Sequence, residues 1–183
     1  MKELSLNILD ITNNSIKAKA DKIDITVTES AIKNTLSISI RDNGCGMDQE
    51  FLTRVTDPFV TTRTTRKVGL GIPLFKQSAE DAGGSFHIQS EVGVGTETVA
   101  TYQLNHLDRP PVGDMASTMI SLIQGNDQIR FVYTHQTDLG TFVLDTDELR
   151  AQLEDIPLST PEILIWIGDY INENLNEIQG GKI

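Results

Sequence analysis

The first 18 residues combine an apolar helical stripe with a row of polar side chains, and no other stretch constrains the fold as strongly. The stripe recurs at spacings of four and three residues, which is the period of a helix with one buried face. Its members are Leu4, Ile8, Ile11, Ser15 and Ala18. The polar residues Asn7, Asp10 and Asn14 follow the same period and project within about 60° of one another beside that stripe. The sequence therefore predicts an amphipathic helix that sets one carboxylate and two amides in line.

This polar row has two interpretations. A carboxylate four residues before an amide can orient a water molecule while the amide oxygen binds a hard cation such as Mg²⁺. In that interpretation Asp10 is a candidate general base and Asn14 a candidate metal ligand, with the ammonium group of Lys17 one turn further on. The alternative is that these residues are only the solvated face of an amphipathic helix.

The overall charge of the chain limits the kinds of molecule that it could bind. The 183 residues carry a formal net charge of −11 at pH 7, which argues against nucleic acid and anionic membranes because both would be repelled. Cys45 is the single cysteine, so no internal disulfide can form, which fits a reducing compartment. The sequence shows neither a long apolar stretch nor a signal-peptide pattern, and it therefore predicts a cytoplasmic protein.

Two strands follow the first helix, and the second strand ends in a glycine-rich turn. Apolar and polar residues alternate over residues 23–28 and again over 36–41, and the short polar link between the two runs predicts an antiparallel pair. The second run leads directly into Asp42-Asn43-Gly44-Cys45-Gly46-Met47. Glycines at alternate positions allow a sharp turn and the close approach of a flat ligand, while the carboxylate can accept a hydrogen bond from an exocyclic amine. The alternative interpretation is an ordinary Asn-Gly turn.

A threonine-rich basic loop comes next. Four threonines, two arginines and a lysine lie between Asp57 and Gly69, in a chain that is otherwise acidic. Hydroxyl groups and cations on a loop suit a phosphate chain. The turn Gly69-Leu70-Gly71 follows and offers free N–H groups at the start of a helix, where an anion is favoured. The alternatives are an exposed loop with incidental charge and a simple tight turn.

The helix after this turn and two more strands complete the first part of the chain. The interior face of the helix, which ends before Gly83-Gly84, is predicted to consist of Leu74, Phe75, Ala79 and Ala82. Alternation of apolar and polar residues over 86–91 and 98–103 predicts two strands. The tight turn Gly93-Val94-Gly95-Thr96 between them makes an antiparallel pair.

These features, in this order, resemble the Bergerat or GHKL ATP-binding fold. The order is an asparagine-bearing helix, Asp-Asn-Gly-Cys-Gly-Met, a threonine-rich loop, a Gly-Leu-Gly helix start and a Gly-x-Gly-Thr strand, over about residues 1–105. The superfamily includes the catalytic domains of histidine kinases, MutL, the ATPase subunits of type II topoisomerases and the anti-sigma serine kinases. The nearest resemblance is to histidine kinases, because Asp57-Pro58-Phe59-Val60-Thr61-Thr62-Arg63 looks like their lid entrance. It implies an α+β fold: a two-layer α/β sandwich with a mixed sheet and helices on one face.

The resemblance also implies roles for individual residues toward ATP and Mg²⁺. Asp10 would act as the catalytic base, Asn14 would coordinate the metal, and Lys17 would contact phosphate. Asp42 would accept a hydrogen bond from the adenine amine, with Thr96 assisting it. The remaining residues implied to contact the nucleotide or to belong to its lid are Gly44, Gly46, Met47, Thr62, Arg63, Arg66, Lys67, Gly69, Leu70 and Gly71.

Three departures from the family pattern bear on the reaction. Asp10 is one methylene shorter than the glutamate that hydrolytic members carry at this position. The run Lys67-Val68-Gly69-Leu70-Gly71 stands where many histidine kinases have Gly-Thr-Gly-Leu-Gly, which implies a stiffer lid with an added cation. The chain begins inside the asparagine-bearing helix, so no upstream segment with a phosphoacceptor histidine is expected. None of His87, His106 and His135 stands in a phosphoacceptor pattern.

Residues 108–183 are expected to form a small C-terminal α/β extension of the ATP-binding domain over residues 1–107, with the boundary near Pro110-Pro111. The pattern predicts a helix after Asp114, a hairpin over about residues 129–144, a short helix to Leu153 and a long final helix. The predicted face of that last helix is Ile163, Trp166, Ile167, Tyr170, Ile171, Asn174 and Ile178. We expect this extension to pack on the ATP-binding domain and to serve in recognition or regulation.

The sequence thus predicts a stand-alone ATP- and Mg²⁺-binding protein of the histidine-kinase type, and it leaves three activities open. The chain phosphorylates a separate protein on histidine or serine, or it hydrolyses ATP slowly to drive partner switching, or it is a non-catalytic binding module gated by ATP. The presence of Asp10 and Lys67 favours the two enzymatic hypotheses. In each case we expect a protein partner and neither nucleic acid nor membrane.

Overall fold

The computed structural model of the chain describes residues 3–57 and 70–181. Its strands are β1 (Lys22–Ser30), β2 (Thr35–Asp42), β3 (Ser85–Glu91), β4 (Gly95–Gln103), β5 (Arg130–Thr137) and β6 (Gly140–Asp145). Its helices are α1 (Leu4–Lys17), α2 (Gln49–Val55), α3 (Gly71–Asp81), α4 (Met115–Gly125), α5 (Thr146–Leu153) and α6 (Pro161–Ile178). Within these ranges, no helix has both the length and the apolar character needed to cross a membrane.

The strands form one mixed sheet in the order β3-β4-β2-β1-β5-β6. β1 pairs in parallel with β5, and the other neighbouring strands pair antiparallel. This confirms the predicted antiparallel pairs β1–β2 and β3–β4. A parallel pair needs a crossover connection, and the segment between β4 and β5 that contains α4 supplies it. The two C-terminal strands therefore extend the sheet of the first part of the chain, while the division into domains at residues 107 and 108 stays a prediction.

One face of the sheet is apolar and packs against the helices. In the two central strands Ile25 pairs with Ile40 and Val27 with Ile38, and all four side chains are buried. Helix α1 buries the first four members of its predicted stripe, while Ala18 lies half-buried beyond the end of the helix. The opposite face of the sheet is polar, as expected from the alternation in each strand. This arrangement confirms the predicted α+β sandwich.

The predicted interior face of α3 is wrong at one position. Phe75 and Ala79 are buried as predicted, but the side chain of Leu74 is 44% exposed. Adjacent residues on a helix point about 100° apart, so the two cannot share one contact. Phe75 takes the inward position and packs edge-on against Phe86 of β3, with ring centroids 6.0 Å apart. Leu74 is therefore left on the outer side of the helix.

The predicted face of α6 is confirmed at Ile167, Ile171 and Ile178, which are buried, but it is wrong at Trp166. The helix carries two apolar stripes that lie side by side, and a period of three to four residues fits both. Its buried residues are Leu164, Ile167, Gly168, Ile171 and Ile178. Helix α4 packs closely here, since a Cβ on Gly168 would lie 2.7 Å from Cδ1 of Ile120. Trp166 belongs to the other stripe and is 47% exposed.

A buried polar cluster joins the two parts of the chain on β1 and β5. His135 is 1% exposed; its Nδ1 lies 2.7 Å from the hydroxyl of Tyr133, and its Nε2 lies 2.7 Å from a carboxylate oxygen of Glu29. The hydrogen bond with His135 holds the pKa of Glu29 below its usual value, against the opposing effect of burial. Burial raises the pKa of the Tyr133 hydroxyl. Each of these groups has a partner inside the cluster, so their role in the described structure is to hold the strands together.

Candidate functional site

A cavity of about 530 Å³ opens between the C-terminal half of α1, the turn after β2, helix α2 and the ends of β3 and β4. Much of its wall is apolar, with Ile11, Met47, Phe51, Val55, Ile72, Ile88 and Val92. Its polar side chains include Asn14, Ser15, Lys17, Asp42, Thr96 and Thr98. An apolar cleft with a few convergent polar groups is the usual form of a small-molecule site.

Asp42 is held in this cavity by two hydrogen bonds. It is the last residue of β2 and only 9% exposed. The hydroxyl of Ser15 on α1 donates to its Oδ2 at 2.5 Å, and the backbone N–H of Gly44 donates to its Oδ1 at 2.9 Å. A carboxylate has about four acceptor positions, so two are left for a donor from a ligand. The fold thus fixes the orientation of this group while leaving it able to bind.

The glycine-rich turn after β2 packs too closely against neighbouring backbone to accommodate side chains at Gly44 and Gly46. A Cβ on Gly44 would lie 2.8 Å from the carbonyl oxygen of Ala18, at the end of α1. Gly46 has φ of +69°, and a Cβ there would lie 2.0 Å from the carbonyl oxygen of Glu91. These glycines let the turn lie directly on α1 and on the end of β3. Their contact with a flat ligand stays a prediction.

Met47 and Thr96 come together through a serine that the sequence analysis missed. The hydroxyl of Ser90 on β3 accepts a hydrogen bond from the backbone N–H of Met47 at 2.8 Å and lies 2.8 Å from Oγ1 of Thr96. Thr96 in turn pairs with Asp42 across β4 and β2. Ser15 was also missed as a site residue, although it is the one polar member of the α1 stripe. A polar residue at a buried helical position is a signal that could have identified it.

The polar row on α1 divides into three environments. Asn14 and Lys17 line the cavity, and among the described residues the amide of Asn14 makes no side-chain hydrogen bond, so its oxygen is available to a ligand. Asp10 is exposed and does not line the cavity. Asn7 is 1% exposed, and its two polar side-chain atoms have no hydrogen-bond partner in the described structure. The predicted line of three side chains is thus not one continuous surface.

Asp10 lies instead at the start of α3. A Cβ on Gly71, the first residue of that helix, would lie 3.2 Å from the Cβ of Asp10. Leu70 precedes the helix and is exposed. The other residues predicted to contact phosphate fall outside the described ranges, so the lid prediction is not tested there; they are Thr62, Arg63, Arg66, Lys67 and Gly69.

The comparison with known families is decisive for the first part of the chain. Residues 2–106 match the family model described as histidine kinase-, DNA gyrase B- and HSP90-like ATPase. The chain belongs to this ATPase family. The match includes α1, the glycine-rich turn and the strand that carries Thr96, so it covers every element that lines the cavity. ATP is therefore the ligand that the family assignment supports.

Individual relatives of this ATPase chain match about half of it. Sporulation kinase D of Bacillus subtilis (strain 168) is 35% identical over 94 residues, which are 51% of this chain and 18% of that protein. Sporulation kinase E of the same organism is 35% identical over 97 residues, 52% of this chain and 13% of that protein. The chain thus spans less than a fifth of the length of these kinases.

A solved structure shows a weaker likeness to this histidine-kinase-like chain. It is the MutL ATPase domain of Aquifex aeolicus complexed with ADP, which is 16% identical, with a TM-score of 0.48. The alignment covers 84% of this chain and 68% of that one.

Proposed function

We propose that this chain binds ATP with Mg²⁺ in the 530 Å³ cavity and acts on a separate protein partner as a signalling or regulatory ATPase or protein kinase. One observation carries the proposal. Asp42 is buried, is oriented by Ser15 and Gly44, and still has free acceptor positions in a largely apolar cavity. That combination suits recognition of the amino group of a flat base. The family assignment makes adenine the base in question.

The cavity lining offers candidate partners for both the base and the phosphates of a nucleotide. Met47 and Thr96 lie beside Asp42 and would contact the adenine. Asn14 and Lys17 lie along α1 and would contact the phosphates. Mg²⁺ is usually bound by one or two protein oxygens together with substrate phosphates, and the free amide oxygen of Asn14 fits that need. When bound, the ion neutralises charge on the phosphates.

Asp10 is the residue that we assign to catalysis. Its exposed carboxylate lies at the start of α3, next to Gly71, and it is one turn before Asn14 on α1. From this position it would accept a proton from water, in an ATPase, or from a side chain of the partner, in a kinase. The sporulation kinases that match this chain make the kinase reaction the nearer analogy.

The substitution Asp10→Asn tests this assignment. General base catalysis contributes roughly 10²–10⁴-fold to a rate, so we expect phosphate release or transfer to fall by that factor. ATP affinity should change by less than about twofold, because Asp10 does not line the cavity. Binding is measured by calorimetric titration and turnover by phosphate release in the same sample. Asp81→Asn, the same change at the other end of α3, is the matched control. Turnover that survives Asp10→Asn would contradict the catalytic role.

A second candidate is a non-catalytic module that ATP gates. It is favoured by the position of Asp10 outside the cavity lining and by its side chain, which is one methylene shorter than that of the glutamate of hydrolytic relatives. This candidate predicts ATP binding with no measurable turnover in the unmodified chain. Asp10→Asn would then leave every function unchanged, and the same calorimetric and phosphate-release measurements separate the two candidates.

A further inference from the structure

The two parts of the chain differ sharply in charge. Residues 1–107 contain 13 Asp and Glu against 11 Lys and Arg, whereas residues 108–183 contain 13 against 4. Three of the four C-terminal cations are already engaged with other groups of the chain. Arg109 donates to backbone carbonyls, Arg130 pairs with Asp145, and Arg150 pairs with Asp147. The fourth cation, Lys182, lies outside the described residues.

A stacked aromatic pair lies on this acidic region, with Trp166 exposed and Tyr170 half-buried. Trp166 and Tyr170 of α6 stack with ring centroids 5.1 Å apart and an interplanar angle of 8°. Tyr170 also packs edge-on against Phe142 of β6, at 5.5 Å. Ile165 beside the pair is 65% exposed. The stack therefore connects the outer surface of α6 to the edge of the sheet.

Carboxylates surround the aromatic pair. Glu162 and Asp169 lie one turn before and one turn after Trp166, and Glu173 lies one turn after Tyr170. All three are exposed and make no ion pair in the described residues. Their charge is thus free to attract a cation. Trp is also the aromatic side chain that best accepts a cation against its face.

The edge of the sheet beside this helix is unprotected. β6 is the last strand in the sheet order, and on its outer side it pairs with no other described strand. Natural edge strands commonly carry lysine, proline or a bulge that prevents further pairing. Residues 140–145 contain no lysine or proline, and the register with β5 is continuous. The strand can therefore accept another strand.

We propose that this surface binds an extended, arginine- or lysine-rich segment of a partner protein. The surface, here called the acidic strip, consists of β6, Glu162, Trp166, Asp169, Tyr170 and Glu173. The segment pairs with β6 through backbone hydrogen bonds. Its alternate side chains face α6, where a guanidinium group stacks on Trp166 and pairs with the neighbouring carboxylates. Charge complementarity selects a basic segment, and it disfavours a second copy of this chain because two acidic strips repel each other.

The chain contains one tryptophan, so the fluorescence of Trp166 reports directly on the acidic strip. The probe is a peptide of alternating arginine and valine, and its control has glutamate in place of arginine. We expect a saturable change in emission with the basic peptide only, and an affinity that falls as salt is added. Equal binding of the two peptides would overturn the proposal.

Two matched variants test the acidic carboxylates. Asp169→Asn with Glu173→Gln should weaken the basic peptide by about tenfold, because two attractive charges are removed. Glu80→Gln with Asp81→Asn makes the same charge change on α3, away from the strip, and should leave affinity within about twofold. An equal effect of both double variants would mean that net charge, and not the acidic strip, attracts the peptide, which would contradict the proposal.

Two further measurements test the mode of binding. A basic peptide that is N-methylated at alternate residues should lose binding, because it cannot complete the hydrogen bonds with β6. Trp166→Ala, followed by calorimetry, should weaken the unmodified peptide. Retained binding in either case would overturn the proposal, as would a sedimentation result that shows a dimer dispersed by Trp166→Ala. The basic peptide should still bind to the Asp42→Asn variant. The test of the acidic strip is therefore independent of whether the nucleotide site is assigned correctly.

Discussion

The buried polar groups of the two parts of this chain have different uses, although both parts share one sheet. In the first part, Ser15 and Gly44 hold the Asp42 carboxylate in a cavity and leave some of its acceptor positions free. Where the second part joins the first, His135 lies between Tyr133 and Glu29, so that each group is satisfied by another. A buried polar group with unused hydrogen-bonding capacity indicates a binding site, whereas a closed cluster indicates a structural joint.

The two parts also differ in the charge of their exposed side chains. The first part has nearly balanced charge, and its cavity lining includes a lysine. The second part concentrates the negative charge of the chain on its surface, next to an exposed Trp166. The first part therefore suits a small anionic ligand in a cavity, and the second suits a cationic ligand on a surface. This difference in charge is the basis of the separate roles that we propose for the two parts, which share one sheet.

The largest loss of folding stability is expected from a substitution where the shared sheet joins the two parts. Phe131 on β5 is fully buried, and Phe131→Ala should cost about 3–5 kcal/mol. Because β5 pairs with β1, we expect a single unfolding transition in urea, with Trp166 fluorescence and far-UV circular dichroism falling together. Val132→Ala, on the polar face, is the control and should cost about 1 kcal/mol. Two separate transitions would show that the parts are independent domains.

A smaller effect is expected at the glycine turns of the first part. Gly46→Ala should cost about 3 kcal/mol, since it adds a Cβ that would overlap the carbonyl of Glu91 in a positive-φ conformation. Gly93→Ala provides a matched comparison, because its φ is +78° but no atom lies within 4 Å of the added Cβ. It should cost about 1 kcal/mol. Urea denaturation of both variants measures the difference, and equal costs would mean that the turn does not pack as described.

The smallest loss of folding stability is expected from a substitution in the cluster of Glu29, Tyr133 and His135, and this loss depends on pH. The hydrogen bond with His135 lowers the pKa of Glu29 in the folded state. The ionised group therefore stabilises the fold above its unfolded pKa of about 4.3, and this contribution is lost as pH falls through the folded pKa. Glu29→Gln should cost about 1 kcal/mol at pH 7. In urea titrations, the difference in free energy of unfolding between the unmodified chain and Glu29→Gln should shrink below about pH 4. A difference that stays constant with pH would contradict a stabilising role for the ionised Glu29.

Periodicity predicted the elements of this chain but not all of their contacts. The α1 stripe, the two N-terminal hairpins and the C-terminal hairpin follow from alternation and helical spacing, since burial selects those patterns. The parallel pairing of β1 with β5 could not be predicted in this way, because it joins residues about a hundred positions apart. The exposure of Trp166 was missed because α6 carries two stripes and only packing against α4 selects between them.

The candidate site was predicted where a motif is local in sequence. Asp42, Met47 and Asn14 each belong to a short pattern, and the structure brings all three to one cavity. Their supporting contacts were not predicted, because the hydrogen bonds from the Ser15 hydroxyl to Asp42 and from the Met47 backbone N–H to Ser90 join different elements. Asp10 and Asn14 share a helical spacing, but their environments differ, because Asp10 lies beside Gly71 at the start of α3 and Asn14 lines the cavity.

Calorimetric titration of ATP in the presence of Mg²⁺, with Asp42→Asn as the variant, tests the central claim most directly. The amide of asparagine replaces one carboxylate acceptor by a donor, so the nucleotide should bind at least about 100-fold more weakly, a loss of about 2.7 kcal/mol. Asp24→Asn, the same substitution on the polar face of β1, should keep the affinity of the unmodified chain. Equal ATP affinity in Asp42→Asn and the unmodified chain would contradict the assignment of this cavity to the nucleotide.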